Sequence, residues 1–309
     1  VKPLVKKNSQ TWAFMTQGSK QMQVIAQNAL PLMVTFADYG IGKLESNRTY
    51  ILTLNQVGGA SASTPSRSNT MPFKSTPSGT IMTIPVKDSI AIEMVKGEAG
   101  TFMMGATPEM EKPHDNEKPA HQVTLPNDYY IGKCEVTQAL WQAVMGDNPS
   151  YFKGGNLPVE CVSWDDCNNF IKKLNQMTGK NFRLPTESEW EYAARGGNKS
   201  KGYQFSGSNK SFDVAWYNLF DEKTHPVGIS TPNELGIHDM AGNVYEWCQE
   251  LWRDYENSPY HSEKKRLKAH VVRGGCWASV EGNCRSSSRA DCIPNIRSSK
   301  IGLRLALSE

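Results

Sequence analysis

The sequence has few of the features that mark a membrane-spanning, nucleic-acid-binding or hydrolytic protein. No apolar run approaches the ~18 residues that a membrane-spanning helix needs, and the mean hydropathy is −0.53. The net charge is only +3, and the densest basic cluster, at 263–268, is short enough for a solvated loop, so we expect no nucleic-acid partner. The six histidines form no His-x-x-x-His motif, and no Gly-x-Ser-x-Gly elbow is present. These absences exclude the sequence signatures of a zinc protease and of an α/β-hydrolase.

Cysteine is present without the spacing of a disulfide framework. The seven cysteines are an odd number and include no Cys-x-x-Cys pair. In a chain long enough to bury a large core, this pattern predicts mostly buried free thiols and leaves one disulfide open. A Cys-His nucleophile also stays open, because sequence alone does not show which side chains meet in space.

The distribution of strand and turn residues predicts three segments. Residues 1–56 contain short runs rich in Val, Ile, Thr and Tyr, at 21–27, 30–37 and 48–56, which predict a small all-β module. Residues 57–87 are rich in Gly, Ser and Pro and predict a linker. Its last residues are apolar enough to form one more strand of the first module. Residues 88–309 then form the large domain.

Capping residues predict three helices in the large domain. Each helix has Ser or Thr before an amphipathic run and Gly at its end, and two have an acidic residue three positions after the cap. The predicted boundaries are Thr137 and Gly146, Ser163 and Gly179, and Thr186 and Gly196. The residues that follow show turn signals and short strands but no long helix, so a loop-rich β region comes after the helices.

Three separated motifs carry a family resemblance. They are RLPTESEWEYAARGG at 183–197, GIHDMAGNVYEWCQE at 236–250, and the stretch 272–307 with its Arg-Gly-Gly, Trp, paired Arg, Pro and Gly-Leu-Arg. Together they resemble the sulfatase-modifying-factor family, which includes the formylglycine-generating enzymes. The resemblance implies an α+β protein with their loop-rich, C-type-lectin-like fold, here preceded by a small all-β module. In the first motif we expect Glu189, Glu191 and Arg195 to form ion pairs on the helix surface.

The resemblance implies a structural Ca²⁺ in the second motif. Family members hold the ion there with backbone carbonyls and a glutamate, a donor set that suits a hard cation. By position, the ligands here would be Gly242, Asn243, Val244 and Glu246. The alternative is that Asn243 and Glu246 satisfy loop amides. The family's other calcium loop is shortened between Asn218 and Pro226, so no second site is expected.

This chain departs from the family at the copper site. Formylglycine-generating enzymes bind Cu(I) between two cysteines five residues apart, because a soft ion needs two thiolates. Counting from the Arg-Gly-Gly turn, the first position falls on Ser279 and the second on or near Asn283 and Cys284. We therefore expect a member without copper or catalysis; an enzyme would have to use the thiols of Cys276, Cys284 and Cys292.

The spacing of Trp and Arg in the last motif also resembles C-type-lectin-fold proteins diversified by retroelements and non-catalytic relatives. In those proteins the Arg, Trp and Gly residues build a structural frame, and the residues between them face solvent and bind ligand. By position the frame would be Arg273, Trp277, Arg285, Arg289 and Arg304, with Arg285 and Arg289 bonded to carbonyls or carboxylates. The expected ligand-binding residues are Ala278, Ser279, Val280, Asn283, Ser288, Ala290, Asp291, Cys292, Ile293, Ile296, Ser298 and Ser299. The alternative is an ordinary surface of a fixed-sequence relative.

These observations predict a non-catalytic protein that binds a protein or glycan through its C-terminal face. The chain starts at Val1 rather than Met, which we interpret as a form without its leader, so we expect a secreted, periplasmic or outer-surface bacterial protein, with anchoring through the N-terminus. Two alternatives stay open: an oxidase that forms formylglycine from a cysteine of sulfatases, and a structural subunit of a surface or secretion assembly.

Overall fold

The computed structural model describes the strands at 11–15, 21–26 and 32–35, and residues 81–218, 222–258 and 268–308. The chain divides into two compact units, Val1–Met71 and Pro72–Glu309. In the first unit β1 (Thr11–Met15), β2 (Gln21–Ala26) and β3 (Leu32–Thr35) form an antiparallel sheet in chain order. Two of these strands coincide with predicted runs, whereas the run at 48–56 and most of the linker lie outside the described residues.

The three predicted helices of the second unit are confirmed, with their caps. They are α1 (Gln138–Met145), α2 (Trp164–Thr178) and α3 (Glu187–Ala194), and a short α4 (Ser211–Val214) follows. Each N-cap hydroxyl accepts a hydrogen bond from a backbone N–H of the first turn, which otherwise has no partner within the helix. Gly146, Gly179 and Gly196 adopt positive φ at the helix ends, a conformation that costs glycine little.

Three sheets surround these helices. The five-stranded antiparallel sheet has the order β4-β5-β8-β14-β9, formed by Ile81–Lys87, Ile90–Gly97, Tyr129–Gly132, Ala306–Ser308 and Phe182–Arg183. A four-stranded sheet has the order β12-β11-β10-β13, formed by Arg289–Cys292, His270–Arg273, Tyr245–Leu251 and Ile301–Gly302. A hairpin pairs β6 (Gly100–Met104) with β7 (His121–Leu125). Strand β4 belongs to residues that we predicted as linker, and it pairs antiparallel with β5 of the second unit.

Large apolar side chains and tryptophans fill the core between α2 and the sheets. Trp141 stacks on Phe170 with ring centroids 4.8 Å apart, and Trp247 is fully buried. The indole N–H of Trp247 donates to the carbonyl of Val162 at 3.0 Å, so this large ring is buried without leaving its donor unpaired. All seven cysteines are free thiols, which means that no disulfide contributes to this core.

Helix α3 is buried on almost every side. The ion pairs that we predicted for Glu189, Glu191 and Arg195 form, but our prediction that they lie on the helix surface is wrong. Glu191 is fully buried, and Arg195 donates to its carboxylate at 2.8 Å and to the carbonyl of Gly105 at 2.6 Å. The charged residues of α3 therefore connect the helix to neighbouring loops instead of facing water. Within the described residues, no helix has the length and apolar character required to cross a membrane.

Candidate functional site

Four buried arginines hold the C-terminal stretch in place. Each one pairs with a glutamate that lies outside this stretch, which fixes the stretch to distant parts of the fold. The pairs are Arg273 with Glu191, Arg285 with Glu117, Arg289 with Glu187, and Arg304 with Glu246. Arg285 and Arg289 thus have the carboxylate partners that the resemblance implied.

The guanidinium groups make several bonds each, as their five donors allow. Arg273 also donates to the carbonyl of Ser287 at 2.8 Å, and Arg304 donates to the carbonyls of Gly132 and His238 at 2.9 Å each. Burial alone lowers the pKa of Arg273, but the Glu191 and Glu187 carboxylates outweigh it and leave the pKa above its ordinary value. The arginine charge is therefore retained in the interior.

The residues expected to bind ligand divide into three groups. Val280, Ile293 and Ile296 are exposed, with relative accessibilities of 58%, 46% and 42%. Seven are half-buried: Ala278, Asn283, Ala290, Asp291, Cys292, Ser298 and Ser299. Ser279 and Ser288 are buried, whereas we expected both to face solvent. The Ser279 hydroxyl accepts from the backbone N–H of Cys276 at 3.0 Å, and the carbonyl of Ser288 accepts from Arg273, so both residues bond within the C-terminal stretch.

Two of the three C-terminal cysteines lie beside one tyrosine. The Ser279 hydroxyl is 3.4 Å from both the Cys276 sulfur and the Tyr245 hydroxyl. Burial raises the pKa of Tyr245 to about 12, and nearby Cys276 and Cys284 act in the same direction. Burial also raises the pKa of both cysteine thiols. Cys292 is on strand β12 instead. Because a thiolate is the form that attacks or binds a soft metal, these neutral thiols are not poised for that chemistry.

The residues mapped to the family's calcium loop do not fit an ion in this arrangement. Both carboxylate oxygens of Glu246 accept from Arg304, at 2.7 and 2.9 Å, and one also accepts from the Trp190 indole at 2.6 Å. The side-chain oxygen of Asn243 accepts from His225 N–H at 2.9 Å, and its carbonyl accepts from Trp277 N–H at 2.8 Å. A hard cation needs several free oxygens, with carboxylate charge among them, and here that charge is neutralised by an arginine.

Sequence reasoning missed a buried carboxylate next to this loop. Glu135 is buried, and neither of its carboxylate oxygens has a hydrogen-bond partner. Burial, followed by the neighbouring Asp239 carboxylate, raises the pKa of Glu135 well above its ordinary value, although Arg304 opposes this. The only sequence signal was a glutamate directly before Val136, three residues after the apolar strand β8.

Sequence reasoning also missed two consecutive aromatic residues, Tyr151 and Phe152. They lie in the loop after α1, and the Phe152 ring packs edge-on against Trp277, one of the frame residues. An aromatic pair within a loop rich in Gly, Asn and Pro was the available signal.

Comparisons with known proteins agree with this architecture. The family model for the sulfatase-modifying factor enzyme 1-like domain matches residues 81–309. The chaperone protein LppX of Paenibacillus barcinonensis is 34% identical over 272 residues, which cover 72% of this chain and 91% of that protein. The formylglycine-generating enzyme of Streptomyces coelicolor is 31% identical over 196 residues, 55% of this chain and 59% of the enzyme. The chain therefore matches little more than half of that enzyme's length.

A solved structure shows the same fold. Treponema denticola variable protein 1 superposes with a TM-score of 0.65 and 30% identity, over 75% of this chain and 100% of that one. The matching domain covers every element of the second unit, from β4 to β14. The family match and the sequence similarity to these relatives show that this chain is a member of the sulfatase-modifying-factor family, with the C-type-lectin-like fold of the formylglycine-generating enzymes.

Proposed function

We propose that this protein is a non-catalytic binding member of the family and that its C-terminal face contacts a partner outside the cell. The observation that carries the proposal is the exposure of Val280, Ile293 and Ile296 on a stretch that four buried, ion-paired arginines hold in place. A rigid frame fixes these apolar groups before binding, which reduces the entropy that association costs.

The thiol chemistry supports the same proposal. Serine replaces the first copper-binding cysteine at position 279, and its hydroxyl is engaged by Cys276 N–H. The specific observation that favours an enzyme is the proximity of Cys276 and Cys284 to Tyr245. Their raised pKa values leave them protonated near neutral pH, so an oxidase would first have to deprotonate two buried thiols.

A protein is the partner class that we favour over a glycan. Exposed aliphatic side chains match the apolar core of a protein interface, which sugar hydroxyls do not. The Paenibacillus relative is named a chaperone protein, which points to the same class.

Mass spectrometry of a Cys-x-Pro-x-Arg peptide tests the non-catalytic part. The peptide is incubated with the reduced protein, copper and oxygen, and the Streptomyces coelicolor formylglycine-generating enzyme serves as the positive control. We expect no conversion by this protein. Formation of the aldehyde, lost in Cys284→Ser, would overturn the proposal and assign the site to the thiols beside Tyr245.

Affinity capture from the native host's extracellular fraction tests the binding part. The wild type is compared with a Val280→Ser/Ile296→Ser variant and with Met177→Ser, which changes another exposed apolar side chain on α2. We expect one stoichiometric partner on the wild type and on Met177→Ser, and its loss from the double variant. Equal capture by all three proteins would place the binding surface elsewhere.

A further inference from the structure

Three aromatic side chains, one of them from the C-terminal stretch, contact one another in series at the surface. Tyr151 meets Phe152 edge to face, with centroids 5.0 Å apart and planes at 85°, and Phe152 meets Trp277 at 5.5 Å and 90°. Tyr151 is 72% exposed, more than any other large apolar or aromatic side chain among the described residues with known accessibility. We refer to Tyr151, Phe152 and Trp277 as the aromatic corner.

Hydrogen bonds hold two of the three residues of the aromatic corner in place. The backbone N–H of Phe152 donates to the buried Glu160 carboxylate at 2.8 Å, and its carbonyl accepts from the Gln138 side chain at 2.9 Å. The indole N–H of Trp277 donates to the carbonyl of Ser299 at 2.9 Å. Exposed aromatic rings that are fixed in advance lose little conformational entropy when they bind, as in the rigid aromatic anchors of engineered binding surfaces.

Two lysines border the aromatic corner. The Lys300 ammonium lies 5.8 Å from the centroid of the Trp277 ring, and the exposed Lys153, which follows Phe152 in the chain, donates to the carbonyl of Asn148 at 2.9 Å. Among the ion pairs formed within the described part of the chain, neither lysine has a carboxylate partner. The surface thus combines apolar rings with two lysines that form no ion pair with an acidic side chain of the described residues.

We propose that the aromatic corner, with Lys153 and Lys300, binds an acidic segment of a protein partner, in which an apolar side chain is adjacent to Asp or Glu. The apolar side chain packs against Tyr151 and Trp277, and the carboxylates lie opposite the lysines. This inference rests on the proposed function and identifies both the anchoring residues and the chemistry of the partner.

The geometry favours a peptide over a sugar. The ring planes are perpendicular to each other, which makes a corner that accepts a side chain rather than a flat platform for a pyranose ring. Tyrosine and tryptophan are also the residue types that dominate the binding energy of protein interfaces.

Selection from a displayed library of random short peptides, on the immobilised full chain, tests the inference. Enriched peptides are synthesised, and their Kd values are measured for the wild type, Tyr151→Ser and Lys153→Glu/Lys300→Glu. Matched controls are Phe212→Ser, which removes another exposed aromatic ring with 56% accessibility, and Lys172→Glu on α2. Melting curves check that all variants fold. We expect no change in them, because every substituted side chain is exposed.

We expect enriched peptides to combine Asp or Glu with an aromatic or aliphatic residue. Tyr151→Ser and the double lysine variant should each weaken binding by about tenfold or more, while the controls stay within about twofold. Peptides without acidic residues, or peptides that bind these variants as well as the wild type, would overturn the inference.

The remaining outcomes separate this inference from the proposed function. If binding is lost in Val280→Ser/Ile296→Ser but not in Tyr151→Ser, the C-terminal face binds a partner without the aromatic corner, and only the present inference fails. If no peptide is enriched and a glycan array instead gives an acidic glycan whose binding Tyr151→Ser abolishes, the choice of a protein partner is wrong. If neither library gives a ligand, the inference is overturned, and the capture experiment decides the proposed function on its own.

Discussion

Arg289 and Glu187 form a two-point ion pair across 102 residues of sequence, with both N–O distances at 2.7 Å. The guanidinium carbon also lies over two aromatic rings, 4.3 Å from the centroid of Trp252 and 3.9 Å from that of Tyr255. Through its ion pair this arginine connects strand β12 to the start of helix α3. Such a planar group is not replaceable by lysine, which lacks the fork and the flat faces.

Arg289→Ala should strongly destabilise the domain. Removing one partner of a buried pair leaves the other charge uncompensated, which costs about 3–5 kcal/mol of unfolding free energy. Urea unfolding measures the effect, and Ser298→Ala is the matched control from the same stretch, where we expect no change beyond error. Similar unfolding curves for both variants would contradict the division into frame and surface residues.

Glu135→Gln should stabilise the protein at neutral pH. The pKa of Glu135 is raised in the folded state above its ordinary value of 4.5. At a pH between the ordinary pKa and the raised pKa, the folded protein therefore keeps a proton that the unfolded chain releases. Stability is therefore lost as the pH rises through this window, by about 1.4 kcal/mol per pH unit for one proton. Glutamine cannot ionise and avoids this loss.

Unfolding free energies of the wild type and Glu135→Gln, measured from about pH 5 to pH 8, check that sign. The advantage of the variant should grow with pH across the window. A variant that is less stable than the wild type at neutral pH would show that the Glu135 carboxylate is ionised and has a stabilising partner.

Calcium should not change the melting temperature of the protein. Arg304 and Trp190 already occupy the carboxylate of Glu246, so an ion there would have to displace a buried guanidinium. Differential scanning calorimetry after EDTA treatment, with and without added Ca²⁺, measures this. A calcium-dependent rise in Tm would show that the loop rearranges around an ion, and its loss in Glu135→Gln would identify the orphan carboxylate as a ligand.

The cysteines should label with maleimide in the order of their burial. Cys161 and Cys292 are half-buried and should react before the fully buried Cys284. Burial and a hydrogen bond to Glu160 raise the pKa of Cys161 to about 11, so its labelling should accelerate as the pH increases. Mass spectrometry of labelled peptides measures the rates, and rapid labelling of Cys284 at neutral pH would indicate a reactive thiolate and favour an enzyme.

Local signals in the sequence predicted local structure well. Thr137, Ser163 and Thr186 mark the three helix starts because an N-cap bond involves only residues within one turn. The α+β class and the family fold were also predictable, since each of the three motifs that identify them is one unbroken stretch of sequence.

Burial of polar residues was not predictable in the same way. Glu191 and Arg195 have the spacing of a surface ion pair, and only the approach of Gly105 and Arg273 from elsewhere in the chain places them inside. Ser279 and Ser288 were assigned to the surface by position, but both are buried and form hydrogen bonds within the C-terminal stretch. Tyr151 and Phe152 were missed for a related reason: Phe152 contacts Trp277, which is distant in sequence.

Strand β14 lies in the interior of the five-stranded sheet, between β8 and β9, although it is formed by the last described residues of the chain. During synthesis, β8 and β9 therefore leave the ribosome long before the strand that joins them. The sheet closes only after residues 306–308 emerge, so a nascent chain carries two unpaired strand edges while the residues between β9 and β14 are made, a state prone to aggregation. Deleting residues 306–308 should prevent the domain from folding, whereas a loop on the surface tolerates loss or insertion.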